Sequence, residues 1–379
     1  MSMNAAAIIF SNLNNNTLSR LTQDRTVAAI PFACRYRLID FALSNVVNAG
    51  ISNVNVVTNY NYRSLVEHIG SGKDFDLARR SGGINVISPY QTSHTPSAKL
   101  YSSHLEALRS ISHSYIDKFK EENVVLSDCD LICNIDLRDV LHEHERNVAD
   151  ITVVTARVDS SWTSKTAKLM VSAGDDARIS SFAMSASYSA SHPEICTNIF
   201  VMKTNTLREI LAAADRSDYT SLTQDILIPN AAKEKFYAYR YDGYFASVSS
   251  FRDYFFHSIE LTKNVTLRKQ LLGVAERPIY TNVHNSSPTV YKDTASVKNS
   301  LIADGCVIEG TVENSVIFRG VRVKKGAVVR NSVLFFESSV GENTTLNCVI
   351  ADKNTIINDG VTLSGHPTIP FYINKGQKV

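Results

Sequence analysis

Few residue clusters in this 379-residue chain combine the types and spacings that chemistry demands. His142-Glu-His144 has the composition of a metal pair, but histidines separated by one residue diverge on a helix, so a solvated face is the expectation. Cys129 and Cys133 form a CxxxC with no second pair, and the six cysteines match no zinc-ligand pattern, which reads as reduced thiols. Ser44 lies in a helical apolar pattern without the strand-to-helix elbow of a nucleophile. Trp162 and the tyrosines make no stacking motif for nucleic acid. Any chemistry must therefore come from residues that only the fold brings together.

The elements that would do so are readable. Ala6-Ala-Ile-Ile-Phe10 is a short apolar run typical of a buried parallel strand. Leu38, Phe41, Ala42, Val46 and Ala49 recur at helical spacing, and Gly50 follows as a C-terminal stop. Strand-like Val54-Asn-Val-Val-Thr58, helical Ser64 to Ile69, strand-like Val124-Val-Leu126, a helix around Asp139 to Asn147 and strand-like Ile151 to Thr155 continue the alternation. Such alternation predicts a doubly wound α/β sheet, whose ligands bind at the carboxyl ends of its strands. With 39 basic against 37 acidic residues the chain is near neutral, which implies no nucleic-acid partner. The run from Ala5 to Phe10 is too short for a signal peptide core or a membrane span, so a cytoplasmic protein without membrane contact is expected.

Past residue 262 the rhythm changes. Residues 263–288 carry mixed signals and read as a linker between a domain at 1–262 and another at 289–379. In the latter, Val316, Val328, Leu334, Val340 and Leu346 are separated by multiples of six, with Arg322 filling a gap in the series where an inward aliphatic residue is expected. Val323, Val329 and Phe335 keep the spacing one residue along. A β-sandwich has period two and no reason to hold a period of six, so the hexads predict a parallel β-helix. They resemble the left-handed β-helix of acyltransferases and of sugar nucleotidyltransferases. Acyltransferases of this kind usually place a histidine there, and only His366 falls in the region, near its end.

One block carries a family resemblance. Arg35-Tyr-Arg-Leu-Ile-Asp-Phe-Ala-Leu-Ser-Asn45, followed by Val-Val-Asn-Ala-Gly50-Ile, is similar to the Lys-Phe-Arg-Ile-Ile-Asp-Phe-Ala-Leu-Ser-Asn of ADP-glucose pyrophosphorylases, and Val57 to Ile69 resembles the strand and helix that follow. The order of an α/β domain and then hexads is also theirs. The resemblance implies a Rossmann-like nucleotidyltransferase (GT-A-like) domain joined to a left-handed parallel β-helix of hexapeptide repeats. It also implies a reaction in which the phosphate of glucose 1-phosphate attacks the α-phosphorus of ATP, helped by backbone N–H groups, basic side chains and a metal held by carboxylates.

Residue by residue, that machinery is depleted. The family's Gly-Gly-x-Gly-Thr-Arg loop, whose glycines let the main chain approach phosphate, falls on Asn12-Leu-Asn-Asn-Asn-Thr17. Its arginine aligns with Thr17, and the lysine of Arg-Ala-Lys-Pro aligns with Val27. Of two metal carboxylates, one survives as the vestigial Asp130 in Cys129-Asp130, and the other falls on Ser247 of Ala246-Ser-Val-Ser-Ser250. Glu-Lys-Pro falls on Ala183-Met-Ser185, which removes a lysine for the sugar phosphate, and Gly-Thr-Ala-Asp-Ala falls on Ser103-His-Leu-Glu-Ala107, which replaces a glycine near the nucleobase.

What is kept points elsewhere. Arg25 and Arg37 survive at positions that in the family face the β-helix and serve an effector site for phosphorylated sugars, although a neighbouring lysine position holds Asp24. Arg322 matches an effector-site arginine, and a pair of arginines across an interface suits a bisphosphate. Among family members the chain resembles the non-catalytic D-type subunits of Gram-positive bacteria. This implies a regulatory role in glycogen biosynthesis, a catalytic pyrophosphorylase subunit as partner in a mixed oligomer, and no required cofactor, magnesium entering only with residual activity. The alternatives are an active adenylyltransferase with substitute residues, such as Arg20 reaching in for the lost arginine, and a scaffold without ligand.

Overall fold

The computed structural model describes residues 4–11, 18, 20–79, 82–88, 101–160 and, the side chain of Lys165 excepted, 162–379. Thr17 and the Asn12–Asn15 segment lie outside the described residues.

The strand Ala5–Phe10 is buried along its whole length and runs parallel to Asn53–Val57 on one side and to Asn123–Asp128 on the other. An all-apolar strand with a sheet neighbour on each edge and helices on both faces has no use for alternation, which is why it reads as a continuous apolar run. Gly83–Ile87 extends the parallel part past Asn53–Val57. Beyond Asn123–Asp128 the sheet turns antiparallel through Glu194–Lys203, then Thr163–Ala173 and Ile179–Ser187, with Ile151–Arg157 and Phe236–Arg240 branching from Glu194–Lys203. The helix Leu38–Asn48 starts where Asp40 accepts from the Arg37 N–H at 2.9 Å, the return half of a capping box. Ser44, buried on that helix, accepts the Tyr280 N–H at 2.8 Å, a structural duty rather than a chemical one.

His144 departs from the solvated face expected of the 142–144 pair. His142 is exposed, but His144 is buried, its Nδ1 sits 2.8 Å from the Thr152 hydroxyl, and burial pushes its pKa down to about 4. The helix Leu137–Arg146 turns its Leu137, Val140, Leu141 and His144 stripe to the sheet, so one of the two ring positions had to go inside.

The C-terminal domain is a left-handed parallel β-helix of three five-stranded sheets. Its repeat is not a strict hexad. Val323 pairs with Val340 and Val340 with Ile357, steps of 17 residues, whereas the earlier pair Ile308 and Val323 is a step of 15. The inward residues Val323, Val329, Leu334 and Val340 follow at six, five and six. Corners are turned by residues in the left-handed region, such as Gly320, Gly326 and Asn331, where glycine or asparagine meets the least strain. One short side per coil makes a series of multiples of six slip by a residue. This corrects the placement of Arg322: it is exposed on the outer surface, and its neighbour Val323 fills the interior.

The sheet containing Val316–Ile317, Val333–Leu334 and Val349–Ala351 is apolar on both faces. Ile317, Leu334 and Ala351 point inward, while Val316, Val333 and Ile350, with Phe318 and Phe335, join the core of the α/β domain. The helix Phe251–Lys263 lies against this face: Tyr254 meets Phe335 edge-on at 6.2 Å, and its hydroxyl donates to the Pro31 carbonyl at 2.7 Å. The two domains therefore share one hydrophobic core. Between them, residues 263–288 include a helix, Val265–Leu272, capped by Asn264. The following coil is tied down by Asn134, which donates to the carbonyls of Leu271 and Arg277 at 2.9 Å each. No helix of the described residues is long and apolar enough to cross a membrane.

Candidate functional site

The carboxyl ends of Ala5–Phe10 and Asn123–Asp128 form the sheet edge where a nucleotide would bind. Ser103 caps the helix His104–Ile111 by accepting from the Glu106 N–H, and Leu105 and Ala107 pack into the core. That leaves His104 over the sheet edge. Its ring stands edge-on to Phe10 at 4.8 Å, and its Nε2 lies 2.7 Å from Asp128 Oδ1. Asn198 donates to the other oxygen of Asp128 at 2.9 Å. Burial opposes the imidazolium, but the charge and hydrogen bond of Asp128, with Asp130 behind, raise the His104 pKa above its usual value. The family's glycine position is taken by Ser103, the helix cap, and the imidazole of the next residue covers the sheet edge. Val27, at the lost lysine position, is buried in the short helical turn Val27–Ala29, where its apolar side chain packs in the core.

Asp130 and Ser247 do come together. The short strands Leu131–Ile132 and Ala246–Ser247 pair antiparallel, and the Val248 N–H donates to the Asp130 carbonyl at 2.8 Å. Beside Ser247, however, lies Lys168 from the long strand Thr163–Ala173, its Nζ 3.5 Å from Ser247 Oγ. Magnesium requires a near-octahedral set of oxygens at about 2.0–2.1 Å, usually with one or two carboxylates. Here the position of the second carboxylate holds a hydroxyl with an ammonium against it, Asp128 is engaged by His104 and Asn198, and no group of three or more metal-ligand residues exists among the described residues. The donor set does not fit the metal. Met184, aligned with the family's sugar-phosphate lysine, is exposed on the edge strand Ile179–Ser187, and the next residue, Ser185, stands directly opposite Lys168. Lys168 and Ser247 line an open cavity of about 580 Å³ with Trp162, Tyr241, Asp253 and Phe256 on its walls.

The second concavity, of about 320 Å³, lies between the domains. Arg35 and Arg37 enter from the start of the helix Leu38–Asn48, His68 from the helix Arg63–Ile69, His284 from the interdomain coil, and Arg319, Glu337 and Lys353 from corners of the β-helix. Arg37 is oriented by donating to the carbonyl and hydroxyl of Ser64 at 2.6 and 3.0 Å. Arg319 is held by Asp304 at 2.9 Å, and the Lys353 ammonium sits 5.0 Å from the Phe336 ring centre. Among the described residues, none of Arg35, Arg37 and Lys353 has a carboxylate within ion-pair distance. Burial, with the charges of Arg37 and Arg25, pushes Lys353 down to about 8. Burial, with Arg25 adding, brings Arg37 to about 10, and burial with Arg319, His68 and Arg37 lowers His284. The cleft is a field of like charges that weaken one another's protonation.

The expected effector trio is therefore split. Arg37 lines the cleft, but Arg25 does not: it is 3% exposed and its Nη2 donates to both oxygens of Asp352 at 2.7 and 2.8 Å. Tyr372 completes this clasp, its hydroxyl contacting Asp352 and donating to the Arg20 carbonyl at 2.9 Å, and Asp24 faces Lys375 at 3.7 Å. Arg25 is an interdomain ion pair and Arg322 an exposed outer residue, so neither lines the cleft with Arg37. Arg20 rests over the Phe251 ring at 5.9 Å, and its carbonyl serves the clasp. Sequence reading missed Lys353, Arg319, Arg35 and Lys168. Arg35 stood inside the family block, and Lys353 beside an acidic residue in an otherwise apolar rung, the two available signals.

Comparison with known proteins agrees with this architecture. Residues 7–184 match the nucleotidyl transferase family model, and residues 286–367 match the GlmU-like C-terminal hexapeptide model. The glycogen biosynthesis protein GlgD of Bacillus subtilis (strain 168) is 31% identical over 373 residues, covering 97% of this chain and 95% of that protein. The glucose-1-phosphate adenylyltransferase of Thermosipho africanus (strain TCF52B) is 32% identical over 330 residues (86% and 78%). The enzyme of the same name from Bacillus anthracis is 29% identical over 361 residues (94% of each). Fold, site placement and near full-length similarity lead to one conclusion: the chain belongs to the glucose-1-phosphate adenylyltransferase, or ADP-glucose pyrophosphorylase, family.

Proposed function

We propose that the chain is a catalytically deficient regulatory subunit of glucose-1-phosphate adenylyltransferase in bacterial glycogen biosynthesis, which assembles with a catalytic subunit and activates it. The observation that carries this reading is the pair His104, over the sheet edge against Asp128, and Lys168, against the Ser247 that aligns with the family's second metal carboxylate. Loss of a single preorganised charge contact costs about a hundred- to a thousandfold in rate, and several such groups act as a unit. The similarity to a protein named for glycogen biosynthesis, alongside enzymes named for the adenylyl transfer, supports the same pathway. The cleft between Arg37, Arg35 and Lys353 would take a phosphorylated sugar, and its occupancy would bias the domain contact through which the partner is affected.

The test is an assay of ATP and glucose 1-phosphate conversion by the chain alone, by a complete family member alone and by the mixture, with and without a sugar bisphosphate. Enhancement confined to the mixture is the expected result. Turnover by the chain alone at rates of a complete enzyme overturns it in favour of an active adenylyltransferase with substitute residues.

A further inference from the structure

The disagreement between the sheet-edge residues and a divalent cation has a chemical reading of its own. Lys168 is half-buried and reaches the Ser247 hydroxyl at 3.5 Å, on the wall of the cavity of about 580 Å³. A divalent ion at this point would face an ammonium in place of a second carboxylate, and the two cations exclude one another. A lysine is a compact charge with three donors, able to bind a phosphate as a point contact without a coordination shell. The remaining walls favour a polyhydroxylated body. Trp162 and Phe256 offer apolar faces, and Asp242 and Asp253 offer acceptors for hydroxyl groups. Cavities of this size hold ligands of small-molecule class.

We propose that the ammonium of Lys168 substitutes for the divalent cation, so that this cavity binds the phosphate of a sugar phosphate without metal. The site is independent of whether the chain activates a partner. It is also separate from the interdomain cleft, whose lining shares no residue with it.

Isothermal calorimetry on the full chain with glucose 1-phosphate, in EDTA and again in magnesium, tests it. Expected is binding of equal strength in both conditions, weakened about tenfold or more by Lys168→Met and largely retained by Lys168→Arg, which keeps the charge if Lys168→Met fails to fold. Ser247→Asp, placing a carboxylate against the ammonium, should weaken binding as well. Absence of binding in EDTA, strengthening by magnesium, or full binding by Lys168→Met overturns the proposal. So does binding that Lys353→Met abolishes, which would locate the ligand in the cleft. Inorganic phosphate binding as tightly as glucose 1-phosphate would remove the sugar from the assignment and overturn it in that respect. Failure of activation in the mixed assay leaves each of these outcomes unchanged.

Discussion

At the sheet edge Asp128 is held by His104 and Asn198, and Lys168 lies against Ser247, whereas in the interdomain cleft Arg35, Arg37 and Lys353 face one another with no carboxylate in ion-pair range among the described residues. Both regions are polar concavities in one molecule, and the contrast shows how a protein treats charge with and without an external task. Around Asp128 the side chains neutralise each other and fill the space, while Lys168 meets only a hydroxyl and borders an open cavity. A collection of like charges held together by burial stores unfavourable energy, which an incoming anion relieves. Lys353, pushed down to about 8 first by burial and then by the charges of Arg37 and Arg25, shows both effects together.

The contrast can be broken or sharpened by experiment. The largest effect belongs to the clasp beside the cleft. Asp352→Ala leaves Arg25 buried without its partner and should cost about 3–5 kcal/mol, read as a lowered midpoint in urea unfolding. Ser247→Ala should stay within about 0.5 kcal/mol, because its single long contact is partly solvent-exposed. Equal losses at both positions would erase the distinction.

Next in size is Lys353→Met. Removing one charge-assisted contact should weaken a sugar bisphosphate at the cleft about ten- to a hundredfold by calorimetry. Unchanged affinity would mean that the cationic cleft is only structural.

The smallest effect is the pH dependence of that binding. In the free protein Lys353 loses its proton near pH 8, and a bound anion favours the protonated form and raises its pKa. Affinity should therefore be full below about pH 8 and fall by up to about tenfold per pH unit above it, with proton uptake on binding. A flat profile between about pH 7 and about pH 9 would show that Lys353 does not meet the ligand.

Much of this was legible in the sequence, and the failures have physical causes. Leu38 to Ala49 announced its helix because the apolar residues repeat at 3.6, and the buried run Ala6 to Phe10 could only be a strand enclosed on both sides. The β-helix was legible from β-branched residues with polar corners, but its coils of 17 were not, since one five-residue side hides among sixes until hydrogen-bonded neighbours are known. That slip carried Arg322 to the wrong face. The pairing of Arg25 was illegible for a different reason: its carboxylate lies 327 residues away, a distance no local pattern encodes. The cleft draws its cations from segments near residues 35, 319 and 353, each unremarkable alone. Lys168 was missed because its strand carries an ordinary mixed pattern, and only the packing of two separate sheets brings it beside Ser247.

The Arg25–Asp352 clasp also has a consequence for how the molecule is made. Synthesis proceeds at about 5–20 residues per second, so the carboxylate leaves the ribosome roughly a quarter of a minute to a minute after the arginine. During that interval Asn61 can hold the carbonyls of Thr22 and Gln23 and Leu21 can enter the core, but Arg25 lacks its partner, because Asp352 and Tyr372 lie more than 300 residues further along. The front of the nucleotidyltransferase domain is thus finished by the final coil of the β-helix. Until Asp352 is in place Arg25 has no carboxylate to meet, so the clasp is among the contacts between the two domains that can close only after the β-helix has formed around it.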